Sequence, residues 1–84
     1  MDDPEIHALL PAIEQQCSSP DTPIVAETLQ RLIDDHDIAE DEARYMIAFC
    51  LADELERLGA TGTAFDLARY ETLLKLLPTL PEAK

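Results

Sequence analysis

The sequence predicts a small all-α domain of four helices, an up-down or orthogonal bundle with the third helix at its centre. Three observations lead to this fold class. Apolar residues recur three and four positions apart along four segments, which is the helical period. No long stretch alternates with the period of two that indicates a half-buried strand. Prolines and glycines lie between most of the segments, where they end one helix and begin the next.

With 84 residues, the chain is expected to form a single domain over 1–84, with a short tail at 78–84. A domain of this size buries enough surface for one modest core. It does not bury enough for a core and an enclosed active-site cavity. With no Trp, two Phe and two Tyr, this core must consist mainly of aliphatic side chains.

The first helix is predicted from Pro4 to about Cys17, with Asp3 as its N-cap. Its apolar residues form one narrow stripe: Ile6, Leu9, Leu10, Ile13 and Cys17. Pro11 interrupts the segment, because proline removes a helical hydrogen bond and clashes with the preceding turn. The sequence leaves open whether Pro11 kinks this helix or splits it.

The second helix is predicted to follow Thr22 as N-cap, with Pro23 at its first position, and to end at Asp35 or His36. One face collects its apolar residues together with His36: Val25, Leu29, Leu32, Ile33 and His36. We therefore expect His36 to be half-buried and hydrogen-bonded to a carboxylate or a helix end.

The third helix is predicted from Glu40 to Leu58, with Gly59 as the left-handed residue that ends it. Residues 45–52 are apolar on nearly every side of this helix. A helix with that pattern is surrounded by neighbours, so it should be the central element.

The fourth helix is predicted to start with Thr63 and Asp66 as a capping pair and to end at about Leu77, before Pro78. Its apolar residues spread over roughly 200° of the helix circumference, about twice what one core face needs. Either the helix is wedged between two others or part of it is a homodimer surface, and we favour the dimer. The candidate dimer face consists of Phe65, Leu73, Leu76 and Leu77. Leu80 is expected to fold back onto the helix.

Eighteen acidic residues against six basic ones give a net charge of −12. This charge repels phosphates and anionic lipids, so neither direct nucleic-acid binding nor membrane binding is expected. The acidic N-terminus lacks the features of a signal peptide, and no apolar run is long enough to span a bilayer. Cys17 and Cys50 have no metal-binding or redox spacing. A cytoplasmic protein with reduced thiols is expected.

Six carboxylates crowd into residues 34–42, between the second and third helices: Asp34, Asp35, Asp37, Glu40, Asp41 and Glu42. We call this group the acidic turn. It is consistent with a docking site for a Lys/Arg-rich protein, with a solvated turn of no function, or with a divalent-metal site. The calcium-binding EF-hand pattern is absent, because Ala39 and Tyr45 stand at its glycine and glutamate positions.

No paired acid and base, and no nucleophile with a base, indicates catalysis, so neither catalytic residues nor a cofactor is expected. The Asp-Ser-Leu motif that carries the prosthetic arm of acyl carrier proteins is also absent; the corresponding segment is Asp21-Thr22-Pro23. The sequence favours a small acidic protein-binding module, an adaptor, regulator or inhibitor of a basic protein. The alternative is a structural or housekeeping subunit, or a homodimer, whose acidity has no function. A metal-binding protein or a DNA mimic is a third hypothesis.

Overall fold

The structure, a computed structural model, describes residues 4–62 and 64–79 and contains no strand in those ranges. Its helices are α1 (Pro4–His7), α2 (Leu10–Ser18), α3 (Pro23–His36), α4 (Glu40–Thr61) and α5 (Leu67–Leu76). The all-α fold class is therefore confirmed, and α1 and α2 together replace the predicted first helix. The expected N-cap Asp3, the expected cap Thr63 and the fold-back of Leu80 lie outside the described residues.

Pro11 splits the first helix rather than kinking it. A proline ring clashes with the carbonyl four residues earlier, which here belongs to His7. Helix α1 ends at that residue, Ala8 and Leu9 form a turn, and α2 begins at Leu10 with Pro11 in its first turn. Proline is tolerated in a first turn because the amide it lacks has no helical acceptor there.

Helix α4 is the central element, as predicted. It packs against all the other described helices, α1, α2, α3 and α5. Its middle is buried on several sides through Ala43, Tyr45, Met46, Ile47, Ala48, Cys50 and Leu51. The predicted end was wrong by one turn: the helix continues through Gly59 to Thr61, and the left-handed residue that caps it is Gly62, whose φ is 69°. Thr61 Oγ1 donates to the carbonyl of Arg57 within this extra turn.

Helix α5 is wedged between α3 and α4. The two contacts bury Tyr70, Leu74 and Leu77, whereas Leu67 stays 43 % exposed. The width of the apolar stripe is therefore explained in part by the wedge. Leu77 belongs to the core at 2 % exposure, and Leu73 is half-buried against it. Placing Leu77 on a dimer face was therefore wrong, because this side chain is covered by the chain's own helices. Phe65 and Leu76, at 41 % and 57 % exposure, do lie on the surface.

Two details of α3 differ from expectation. Thr22 occupies the N-cap position, but its hydroxyl donates to the carbonyl of Gln16 at 2.8 Å and not to an amide of α3. It thereby joins the end of α2 to the start of α3. His36 is exposed. It lies in line with the buried Val25 and Leu32, but it is the last residue of α3 and none of the described helices covers it.

Candidate functional site

All six carboxylates of the acidic turn are exposed. The turn reverses the chain at Asp37, which adopts the left-handed conformation with φ 54°. Aspartate tolerates this conformation better than most residues. The amides of Asp37 and Ile38 both donate to the carbonyl of Leu32, and Ile38 packs against the core. The turn is thus fixed to the bundle before its first carboxylate and in its middle, between Asp37 and Glu40.

The acidic turn combines two helix ends of opposite polarity. Asp34 and Asp35 lie in the last turn of α3, where the helix dipole is negative and acids are unfavourable. Glu40, Asp41 and Glu42 form the first turn of α4, where the dipole is positive and acids are favourable. Part of the cluster therefore stabilises its helix, whereas the other part has a local cost.

Arg44 is the one arginine or lysine within residues 4–62 and 64–79 that forms an ion pair with the acidic turn. Its guanidinium lies 2.6 Å from Glu40, one helical turn earlier in α4. Beside this pair is an open groove of about 440 Å³, lined by Leu10, Glu14, Glu40, Asp41 and Arg44. We call it the α2–α4 groove. It extends the acidic surface from the turn towards α2 and adds an apolar contact at Leu10.

A second group of charged residues was not anticipated from the sequence. Glu54, on α4, is completely buried. Its Oε1 accepts from Arg57 Nε at 3.1 Å and Arg69 Nη1 at 2.6 Å, and its Oε2 accepts from Arg57 Nη2 at 2.6 Å and the Asp66 amide at 2.9 Å. Arg69 Nη2 also donates to Asp53 at 2.7 Å. We call Asp53, Glu54, Arg57 and Arg69 the Glu54 cluster.

The Glu54 cluster has a structural role. Hydrogen bonding to Arg57, followed by those to the Asp66 amide and Arg69, lowers the pKa of Glu54 to about 2, although burial alone would raise it. Both carboxylate oxygens already accept two donors each, which leaves them no capacity for a ligand. Asp66, whose side chain caps α5 by accepting from the Arg69 amide, is held by the same carboxylate. The cluster therefore attaches the start of α5 to α4.

One signal in the sequence could have identified Glu54. It falls on the apolar stripe of α4, seven residues after Ile47 and four after Cys50, both of which are buried. An acid at such a position requires a cationic partner, because an unpaired buried charge is very costly. Arg57, three residues later, was available on the same face. The contribution of Arg69, fifteen residues further along, could not be read from local spacing.

The two cysteines are free thiols, with Cys50 buried and Cys17 half-buried. Burial raises the pKa of both, that of Cys50 to about 12, so the reactive thiolate is disfavoured at neutral pH. No three His, Cys, Asp or Glu residues in the described part of the chain are grouped so that they could hold a metal ion. In the same ranges, no helix combines the length and apolarity needed to cross a membrane.

Comparison of the chain with models of known protein families, with curated proteins and with solved structures found no match.

Proposed function

We propose that this protein is a small acidic binding module that docks a basic protein through the acidic turn and the α2–α4 groove. It would act as an adaptor, regulator or inhibitor of that protein, in the cytoplasm. The proposal depends chiefly on one observation: three of the four arginines are used elsewhere in the fold, and the fourth, Arg44, pairs with Glu40. The other exposed carboxylates of the turn therefore have no ion pair with a described arginine or lysine.

Arg57 and Arg69 belong to the Glu54 cluster, which lies at the start of α5. Arg31, on α3, donates to the carbonyls of Leu74 and Leu77 at 2.8 and 2.9 Å. It thereby satisfies acceptors at the end of α5, which helices otherwise leave unpaired. Arg44 pairs with Glu40, as described. Lys75 is the remaining described cation, and it is exposed on α5.

A protein partner is favoured over nucleic acid or lipid because both of these are anionic, as this chain is. Clustered surface charge of one sign accelerates the encounter with an oppositely charged protein and disfavours wrong partners. The anchoring of the turn through Ile38 supports the proposal further, because a preformed surface loses less conformational freedom on binding.

The proposal is tested with a twelve-residue peptide of Lys and Arg as probe. The turn variant carries Asp35→Asn, Asp41→Asn and Glu42→Gln; a matched control carries Asp21→Asn, Glu27→Gln and Glu71→Gln. Both variants remove three negative charges from the surface. We expect the turn variant to bind about tenfold more weakly and the control to change about twofold, since exposed ion pairs contribute up to about 1 kcal/mol each.

Binding to the wild type, measured by calorimetry, should also weaken steeply between low and physiological salt. Equal weakening in the two variants would contradict the proposal, because affinity would then follow net charge and not the turn. Binding that is insensitive to salt would contradict it as well.

A homodimer through α5 is a second candidate, favoured by the exposure of Phe65 and Leu76. Against it stands the charge of −12 on each copy, which makes two copies repel each other. Sedimentation of the wild type and of Leu76→Glu decides between the two: a dimeric wild type that the substitution dissociates supports the dimer, and a monomeric wild type excludes it.

A further inference from the structure

We propose that an open groove between α1 and α4 is a docking site for an amphipathic basic helix of a partner protein. The groove, of about 280 Å³, is lined by Glu5, Leu9, Ala52, Leu55 and Glu56. We call it the α1–α4 groove. This inference rests on the proposed function, to which it adds the chemistry of the partner segment: apolar side chains on one face, with Lys or Arg beside them.

The residues that line the α1–α4 groove come from two parts of the chain. Ala52, Leu55 and Glu56 are three and four residues apart, so they share one face of α4. Glu5 lies on α1 and Leu9 lies in the turn that follows it. This turn exists because Pro11 splits the first helix. The split between α1 and α2 therefore places Leu9 in a turn that borders the groove.

The floor of the α1–α4 groove is apolar and accessible. Leu55 is 42 % exposed, and Leu9 and Ala52 are half-buried. An apolar side chain seated there would cover surface that now faces water, which is favourable. A highly charged peptide without apolar residues would gain nothing from this floor. The floor therefore distinguishes an amphipathic helix from a simple polycation.

The charge of the α1–α4 groove decides which apolar partner fits it. Glu56 of α4 lines it, and none of the described arginines or lysines does. The neighbouring Arg57 directs its guanidinium to Glu54. Lys or Arg beside an apolar anchor would meet the carboxylate of Glu56, which is exposed. A second copy of this chain, with its charge of −12, would instead add like charge.

The test uses the full chain labelled with ¹⁵N and two fourteen-residue amidated peptides. One peptide carries Leu and Lys at helical spacing, and the other has Ser in place of each Leu. We expect the Leu–Lys peptide to bind the wild type about tenfold more tightly than the Ser–Lys peptide, and to shift the amide signals of Leu9, Ala52 and Leu55.

Leu55→Ser should abolish most of this tenfold preference. Its matched control is Leu76→Ser, which changes another exposed leucine, on α5, and should leave the affinity within about twofold. Glu56→Gln should weaken the Leu–Lys peptide about threefold, whereas Glu27→Gln on α3 should not. All four substitutions are at exposed positions, and circular dichroism checks that the helices are retained.

Two outcomes would overturn the α1–α4 groove as the site. In the first, Leu55→Ser still binds the Leu–Lys peptide about tenfold more tightly than the Ser–Lys peptide. In the second, Leu76→Ser loses this preference as fully as Leu55→Ser does. If Leu55→Ser dissociates a wild-type dimer, the occupant is a second copy and the basic partner is wrong. Failure of the acidic turn is a separate result. If the acidic turn is not a binding site, the Ser–Lys peptide binds the turn variant as tightly as it binds the wild type. If only the groove is wrong, the turn variant still binds that peptide more weakly, but Leu55→Ser has no effect on the preference for the Leu–Lys peptide.

Discussion

The acidic turn and the Glu54 cluster use the same side-chain chemistry in opposite environments. In the acidic turn, six exposed carboxylates share one arginine, Arg44. In the Glu54 cluster, one buried carboxylate and the partly buried Asp53 share two arginines. Carboxylates in water need no partner, whereas a buried carboxylate must be paired and hydrogen-bonded. The chain thus places its cations where the structure requires them and leaves the turn strongly negative.

Because the two groups differ in burial, we expect the Glu54 cluster to determine stability and the acidic turn to determine recognition. An exposed ion pair contributes at most about 1 kcal/mol to folding, so the acidic turn can change with little effect on stability. Removing one partner of a buried pair is much more costly, because the remaining charges lose their compensation. We therefore expect substitutions in the Glu54 cluster to destabilise the fold and substitutions in the acidic turn to change what it binds.

The largest effect is expected for Glu54→Gln. It should lower the free energy of unfolding by about 3 kcal/mol, the lower end of the range for a broken buried pair. The lower end applies because the side chains of Arg57 and Arg69 are 26 % and 35 % exposed and can recover some hydration. Urea denaturation measures the loss, with Glu42→Gln in the acidic turn as the control, expected to change by less than about 0.5 kcal/mol. Equal losses would remove the distinction between the two groups.

The second prediction concerns acid. The pKa of Glu54 is lowered from 4.5 to about 2 in the folded protein, so its charge stabilises the fold fully above pH 4.5. That contribution is lost as the pH falls from 4.5 towards 2. The difference in unfolding free energy between the wild type and Glu54→Gln should therefore shrink over this interval.

Leu74→Ala provides the control for the acid experiment, because it leaves a cavity at a fully buried position without removing a titrating group. Its loss of stability should stay nearly constant over the same interval. A Glu54→Gln difference that also stays constant would show that the carboxylate charge does not stabilise the fold.

The smallest effects are expected within the acidic turn, where they should have opposite signs. Asp35→Asn removes an unfavourable charge from the end of α3 and should stabilise the protein by about 0.5 kcal/mol. Glu42→Gln removes a favourable charge from the start of α4 and should destabilise it by a similar amount. Thermal denaturation at low salt measures both, and added salt should reduce both. Effects of the same sign would mean that net charge outweighs the helix dipoles.

Local sequence patterns predicted much of this fold because its helices follow local rules. Pro23 placed the start of α3, and the apolar residues 45–52 identified α4 as central. The patterns were less informative where two different structures are compatible with the same sequence pattern. Gly59 and Gly62 can both adopt the left-handed conformation, and the helix ends at the second. The wide stripe of α5 suited a wedge as well as a dimer face.

The candidate functional surfaces also include one that the sequence could locate and one that it could not. The acidic turn could be located from the sequence, because its carboxylates are consecutive or nearly so and flank a helix boundary. The α1–α4 groove could not, because it joins residues more than forty positions apart. The position of His36 was also beyond local periodicity. It lies on the correct side of α3, but burial depends on a neighbour that covers it.

The sequence by itself determined the helical class, an interruption at Pro11 that was either a kink or a split, the central position of α4 and the concentration of acid at residues 34–42. All of these follow from proline geometry, apolar periodicity and the order of charges along the chain. Tertiary structure alone decided how Arg31 and Arg69 are used. Arg31 reaches α5 from α3, and Arg69 reaches Glu54 from α5. These contacts depend on which helices pack together, because a buried charge or an unpaired carbonyl is satisfied by whatever donor the fold brings to it.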